Sequence, residues 1–195
     1  MGELVAKPSL TDRMVRAARL ETSLYNEVEA DLSATNQALT VVVVTALAGG
    51  IGAALGQAFA GRPTGVVGGL IGGVIAELVG WLVWSYVMYL VGTRVFHGTA
   101  TYGELLRTLG FANSPGVLLI LRFVPVLGGL IALVVGIWRI VAGFIAVREA
   151  LDLDNGNTLA TIVVGIVAYL VVLLSVALVL GTIGLGAAVL TGGLG

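Results

Sequence analysis

The sequence predicts an all-α fold, a polytopic transmembrane helical bundle of five spans, or four if the third is re-entrant, preceded by a cytoplasmic amphipathic helix. Three observations carry this. First, of 195 residues 58% are hydrophobic and 11% charged, where a soluble domain has about 45–50% and about 25%. Second, ten of the charged residues fall within the first 31 positions and none follows Asp154. Third, the rest of the chain divides into apolar stretches close to the ~20 helical residues that cross ~30 Å of hydrocarbon.

The N-terminal region, residues 1–37, holds the charge. MGELVAKPSL lacks the apolar run of a cleavable signal, so the first span is expected to direct insertion, and Ala6 stands where a myristoylation motif needs Ser or Thr. From Pro8 to Asn36, Leu10, Met14, Ala17, Leu24, Val28 and Leu32 recur at helical steps, with Asp12, Arg13, Arg16, Arg19, Glu27 and Asp31 on the other faces. Ser9 with Asp12 three residues on resembles a capping box. Three settings suit such a helix: against the protein's own loops, in the headgroup region with Arg13, Arg16 and Arg19 near lipid phosphates, or on another protein.

The transmembrane domain, residues 38–180, is read in order. Ala38 to Ala60 carries no charge. Gly65 to Thr93 carries one, Glu77, and its length demands tilt or extension. Leu109 to Val124 is shorter, with Pro115 near its start and Arg122 near its end, and is a short span or a shielded re-entrant piece. Val126 to Val147 carries Arg139, and Thr158 to Leu180 carries nothing. The tail, residues 181–195, is apolar and Gly-rich and is expected along the outer interface or against a neighbouring subunit.

Orientation follows from Lys and Arg in the connections. A cytoplasmic N-terminus puts Lys7, Arg13, Arg16, Arg19, Arg94, Arg107 and Arg148 inside and Arg62 and Arg122 outside, which predicts a multi-pass protein of the plasma or inner membrane with its C-terminus outside. A soluble partner would then meet the longer, polar inner connections.

Two constellations stand out. Membrane helices associate through small residues, because lipid is as apolar as Leu. Gly68, Gly72, Ala76 and Gly80 form one row on the second span and Gly65, Gly69 and Gly73 another, with Ala48, Gly52, Gly56 and Ala60 on the first span and Gly128, Ala132 and Gly136 on the fourth. These faces are expected to pack within the chain or against another subunit. The second constellation is ionic. Glu77 and Arg139 lie at matching depth, and an ionisable residue in hydrocarbon is expensive alone. They are predicted to pair, with Arg122 as a third member, either fixing helix rotation or, alternatively, serving a small transporter or channel. Trp81 and Trp138 are too deep for an interfacial belt and are read as buried or as facing lipid or pigment, whereas Tyr89 fits the belt.

The remaining motifs exclude function classes. No Cys and a single His, His97 in a polar loop, leave no thiolate chemistry or metal site. G-x-x-x-x-G-K-S/T, H-E-x-x-H and G-x-S-x-G do not occur. Asp152, Asp154, Asn155 and Asn157 form an acidic turn lacking the Glu of a Ca²⁺ loop and are read as a helix terminator. A net charge of −1 gives no attraction for nucleic acid. No catalytic residue, cofactor or metal is expected.

The stretch from Thr99 carries T-Y-G-E-L at Thr101 to Leu105, L-G-F-A-x-x-P at Leu109 to Pro115, a further proline at Pro125, and I-W-R-I followed by A-V-R-E-A between Ile137 and Ala150. With these it resembles the prokaryotic form of the Yip1-domain membrane proteins over about Ser33 to Leu180. The resemblance implies five spans and a cytoplasmic N-terminus. Eukaryotic members bind small GTPases of the Rab type, but their N-terminal D-L-Y-G-P-type motif is missing here, the nearest string being Asp31-Leu32-Ser33, so that activity is not implied. The phrase from Arg16 to Ala38 is similar to bacterial homologues from green filamentous phototrophs, which implies a place beside a large bioenergetic complex. The expectation is a non-enzymatic scaffold or accessory subunit, or a membrane organiser, whose partners are lipid and a protein in the membrane or at its cytoplasmic face.

Overall fold

The computed structural model describes residues 8–61 and 66–192. Lys7, Arg62, Gly65 and the last three residues of the tail, all invoked above, lie outside that range. Among the described residues the fold is all-α, with seven α-helices and one 3-10 helix.

The charged N-terminal region forms two helices, α1 (Leu10–Ala18) and α2 (Thr22–Ala30), where the periodicity predicts one. The cap is as expected, with the Ser9 hydroxyl accepting from the Asp12 N–H at 3.1 Å. The break lies at Leu20, whose φ is +62°. The Leu20 N–H donates to the Ala17 carbonyl and the Glu21 N–H to the Arg16 carbonyl, the paired closure of a left-handed helix stop. Without glycine this stop costs about 1–2 kcal/mol. The fold-back offsets it by turning Ala17, Leu24, Tyr25 and Val28 toward α5 (Tyr102–Ala112) and α6 (Leu127–Leu151), in whose company they are completely buried. Ala17 and Leu24 are seven apart and would share a face of a single helix, so apolar spacing could not reveal the break.

Among the described residues four helices are long and apolar enough to cross a membrane: α3 (Ala34–Phe59), α4 (Val66–Arg94), α6 (Leu127–Leu151) and the first 25 residues of α7 (Asn155–Gly192). The backbone of α7 runs unbroken to Gly192, so residues 181–192 of the tail are helical.

The proline-containing segment between α4 and α6 is not one α-helix. It consists of α5 (Tyr102–Ala112), opened by a full capping box between Thr101 and Glu104, and a 3-10 helix (Ser114–Phe123). Pro115 has no N–H for the Phe111 carbonyl and disfavours α geometry at Ser114. Side chains satisfy the freed backbone, the Ser114 hydroxyl donating to the Phe111 carbonyl at 2.6 Å and Asn113 Nδ2 to the Leu109 carbonyl at 2.9 Å.

This composite runs parallel to α3. A Cβ on Gly110 would meet Ala38, one on Gly116 would meet Thr45, one on Gly49 would meet Leu119, and one on Gly56 would meet the Phe123 backbone. Three α steps of ~1.5 Å from Gly110 to Asn113 and ten 3-10 steps of ~2.0 Å on to Phe123 cover about 25 Å, close to the ~27 Å of eighteen α steps from Ala38 to Gly56. Phe59 and Phe123 stack at 6.0 Å, so the end of α3 lies beside the start of α6. At the other pole, Gly92 and Gly98, in and after the end of α4, approach Leu151 at the end of α6.

Candidate functional site

The site is assembled at the middle of α6. Arg139 is twelve residues from each end of that helix, about 18 Å from either at 1.5 Å per residue. Its Nη2 donates both to Glu77 Oε1 on α4 and to Asn113 Oδ1 at the end of α5. The structure thus brings Glu77 and Arg139 together. The third member is Asn113, supplied by the Pro115 break, and not Arg122. Arg122 is exposed at the far end of the 3-10 helix, where its backbone sits against Gly128 and its side chain against Gly52. Nothing in the sequence signalled Asn113, because an amide before a proline reads as helix termination.

The pair lines a cavity of about 560 Å³ bounded by Trp81 and Trp84 on α4, Leu109 and Asn113 on α5, Gly143 and Phe144 on α6, and Ile162 and Tyr169 on α7. Side-chain exposure of 29% for Arg139 and 33% for Glu77 leaves the pair open toward it. The Trp84 and Tyr169 rings meet edge to face at 5.6 Å and close one wall. Trp81 is buried, its indole N–H donating to the Leu106 carbonyl at 3.1 Å. Trp138 donates to the Ala18 carbonyl at 2.8 Å, so it anchors the end of α1 instead of facing lipid or pigment.

A second polar network lies at the α2–α3 corner. Arg13, 3% exposed, donates to Glu27, Asp31 and Gln37 at 2.8–2.9 Å, and Arg16 donates to Glu27 and Glu21. Of the three arginines expected at lipid phosphates, Arg13 and Arg16 are therefore engaged by the protein's own carboxylates, and Arg19 is exposed. Burial pushes the Glu27 carboxyl up, but its bonds from Arg16 and Arg13 outweigh this and hold it below its ordinary value. The Ser33 hydroxyl and then Arg13 hold Asp31 down at about 2. Glu29 goes the other way, raised to about 7 by burial and then by Asp152 and Glu104, against Arg107. Arg107 itself is buried and donates to the carbonyls of Val28 and Glu29.

The small-residue rows divide. Gly52 faces the Leu119 and Ile120 carbonyls of the 3-10 helix so closely that a Cβ would collide with them, Gly56 and Gly128 also pack against that segment, and Gly80 faces the Tyr169 hydroxyl. By contrast, a Cβ on Gly68, Gly69, Gly72, Gly73 or Gly136 would meet nothing within 4 Å. Ala76, continuing the first row, is exposed, and Ala132 is half-buried. Within the described chain, then, the N-terminal half of α4 has no neighbour on its glycine faces and meets α3 through Leu70 against Gly50.

The acidic turn ends one helix and starts the next. Asp152 takes a left-handed φ of +52° at the end of α6, and Asp154 accepts from the Gly156 and Asn157 N–H groups at the start of α7. Among the described residues no group of three His, Asp or Glu is placed to hold a metal. His97 is exposed in the loop after α4, as expected.

No curated protein and no solved structure matches the chain. The family model for the Yip1 domain matches residues 25–189, spanning α3 to α7 and every residue of the intramembrane site. The chain belongs to the Yip1-domain family of membrane proteins.

Proposed function

We propose that this protein is a non-enzymatic, five-span scaffold or accessory subunit that binds a partner helix in the membrane through the outer half of α4. The observation that carries the reading is the unpartnered pair of glycine rows, Gly68 with Gly72 and Gly69 with Gly73. Close approach of small-residue faces is what drives helix association where lipid removes the hydrophobic incentive.

The five-span count rests on which ends lie together. Arg94 ends α4 at the pole of Leu151, while α6 starts at the pole of Phe59. Residues 95 to 126 must travel between the poles, and α5 with the 3-10 helix is the path. The excess of Arg at the Leu151 pole supports a cytoplasmic N-terminus and an outer C-terminus in a cell membrane.

The test exploits the open space on α4. A Cβ at Gly69 or Gly72 would meet no described atom within 4 Å, and Gly69→Leu and Gly72→Leu replace Gly by a better helix former, so the monomer should keep its fold. Purified from native membranes in lipid discs, the wild type is expected to carry a second subunit in fixed ratio, and the variants to lose it with an unchanged circular dichroism spectrum. A wild type isolated as a lone monomer that conducts ions in liposomes would refute the scaffold in favour of a transporter.

A further inference from the structure

We propose that the cavity between α4, α5, α6 and α7 binds one molecule of a neutral lipid, whose carbonyl oxygens accept hydrogen bonds from Arg139 while its acyl chain lies against Trp81, Trp84 and Tyr169. Glu77, Arg139 and Asn113 supply its polar end, and most of the remaining wall is apolar. A volume of about 560 Å³ lies within the ~300–1,000 Å³ typical of small-ligand sites.

Unused hydrogen-bond capacity defines the polar end. A guanidinium carries five N–H donors. Among the described residues only Nη2 of Arg139 has acceptors, Glu77 and Asn113, so Nε and Nη1 have none. About 18 Å along α6 from either of its ends the guanidinium is far from bulk water, and donors left bare in hydrocarbon are costly. An acceptor arriving through the cavity relieves that cost.

Charge selects the class. Arg139 and Glu77 already neutralise one another, so a phosphate or carboxylate would add an uncompensated charge at the centre of the membrane. A carbonyl oxygen of an uncharged lipid adds an acceptor and no charge, and such a lipid can place its head at this depth. The way in is lateral. Ile140 on α6 and Leu159 and Ile166 on α7 line the cavity yet are 73%, 58% and 46% exposed, which sets the mouth between these two helices and open to the side. Gly143 lies on the same wall with nothing within 4 Å of a would-be Cβ, and the missing side chain is the space a chain would fill.

The experiment uses the full chain in phosphatidylcholine discs, with quenching of tryptophan fluorescence by diacylglycerol brominated on its acyl chains. Trp81 and Trp84 line the cavity and Trp138, on the α1 side of α6, reports the background. The probe is compared with a brominated alkane, which lacks the carbonyl, and with a brominated fatty acid at pH 8, which carries charge. Saturable quenching by diacylglycerol is expected, at least tenfold stronger than by either comparator. It should be lost in Gly143→Leu, which fills the cavity, and kept in Gly129→Leu, at an equally open position outside it. Thermal unfolding of both variants verifies that the fold survives. Equal quenching by the alkane would overturn polar recognition, and tighter binding of the fatty acid would overturn the neutral class. Quenching unchanged in Gly143→Leu, or unsaturable in the wild type, would overturn the site itself.

Discussion

Changing Glu77 to Gln takes away the anion to which Arg139 donates at the centre of α6. Removing one partner of a buried ion pair costs about 3–5 kcal/mol, and the third of each side chain that is open here faces lipid and cavity rather than screening water. Asn113 keeps its bond to the guanidinium, and a retained hydrogen bond to a charged group is worth about 1.5–3 kcal/mol, so Glu77→Gln should cost about 3 kcal/mol. Arg139→Gln should cost less, about 2 kcal/mol, since a stranded carboxylate can neutralise by taking a proton whereas a guanidinium cannot lose one. In the double variant three amides face each other without charge, and the loss should stay near 2 kcal/mol, leaving a coupling of about 3 kcal/mol between the two sites. Reversible unfolding of the chain in mixed micelles, followed by tryptophan fluorescence, measures all three differences. Additivity within about 0.5 kcal/mol, or a larger loss from Arg139→Gln than from Glu77→Gln, would refute the argument.

The same unfolding assay reads three further changes. Arg13→Met should cost about 3 kcal/mol, because it removes the cation from Asp31, which keeps Ser33, and leaves Glu27 with Arg16 alone. His97→Gly should stabilise by up to about 1 kcal/mol, since His97 is exposed and holds a φ of +59° that glycine adopts freely. The pH dependence has two limbs with opposite signs. Asp31 and Glu27 have folded values below their unfolded ones, so their contribution is present above pH 4 to 5 and lost as pH falls toward 2. Glu29 is raised from 4.5 to about 7, so the unfolded chain releases its proton first and stability declines as pH rises between those values. Glu29→Gln should abolish the upper limb and leave the lower intact, and a decline that persists in this variant would assign it to another group.

Legibility in the sequence followed the physics of each feature. The four long helices were readable because hydrocarbon demands an uninterrupted apolar length, and their expected and observed bounds differ by a few residues except at the end of α7, which continues to Gly192. The meeting of Glu77 and Arg139 was readable because depth along a helix is a linear function of position, so two rare charges could be matched without knowing which faces touch. Arg122 failed as a partner for the complementary reason. Its position depends on the rise per residue, and the 3-10 geometry after Pro115, which carries Arg122 farther along the segment than an α-helix would, is not encoded in hydropathy. Arg13 was misplaced because amphipathic spacing separates polar from apolar faces but cannot say whether a polar face meets lipid headgroups or carboxylates brought in by a fold-back at Leu20. The glycine rows were visible as rows, yet whether a row has a neighbour is a tertiary fact.

Order of synthesis gives the Ala18–Trp138 hydrogen bond a temporal meaning. The two residues are 120 positions apart, and the Arg107 bond to Val28 spans 79. At ~5–20 residues per second, the α1–α2 hairpin waits on the order of ten seconds for the helix that will receive it. Its own ion pairs, all within residues 12 to 31, form locally and do not depend on that wait. The hairpin therefore emerges as a preformed wedge whose apolar side, Ala17, Leu24, Tyr25 and Val28, stays uncovered until α5 and α6 are in the membrane. That interval is when a chaperone or the insertion machinery would hold it, and when a stalled or truncated chain would be most prone to aggregate.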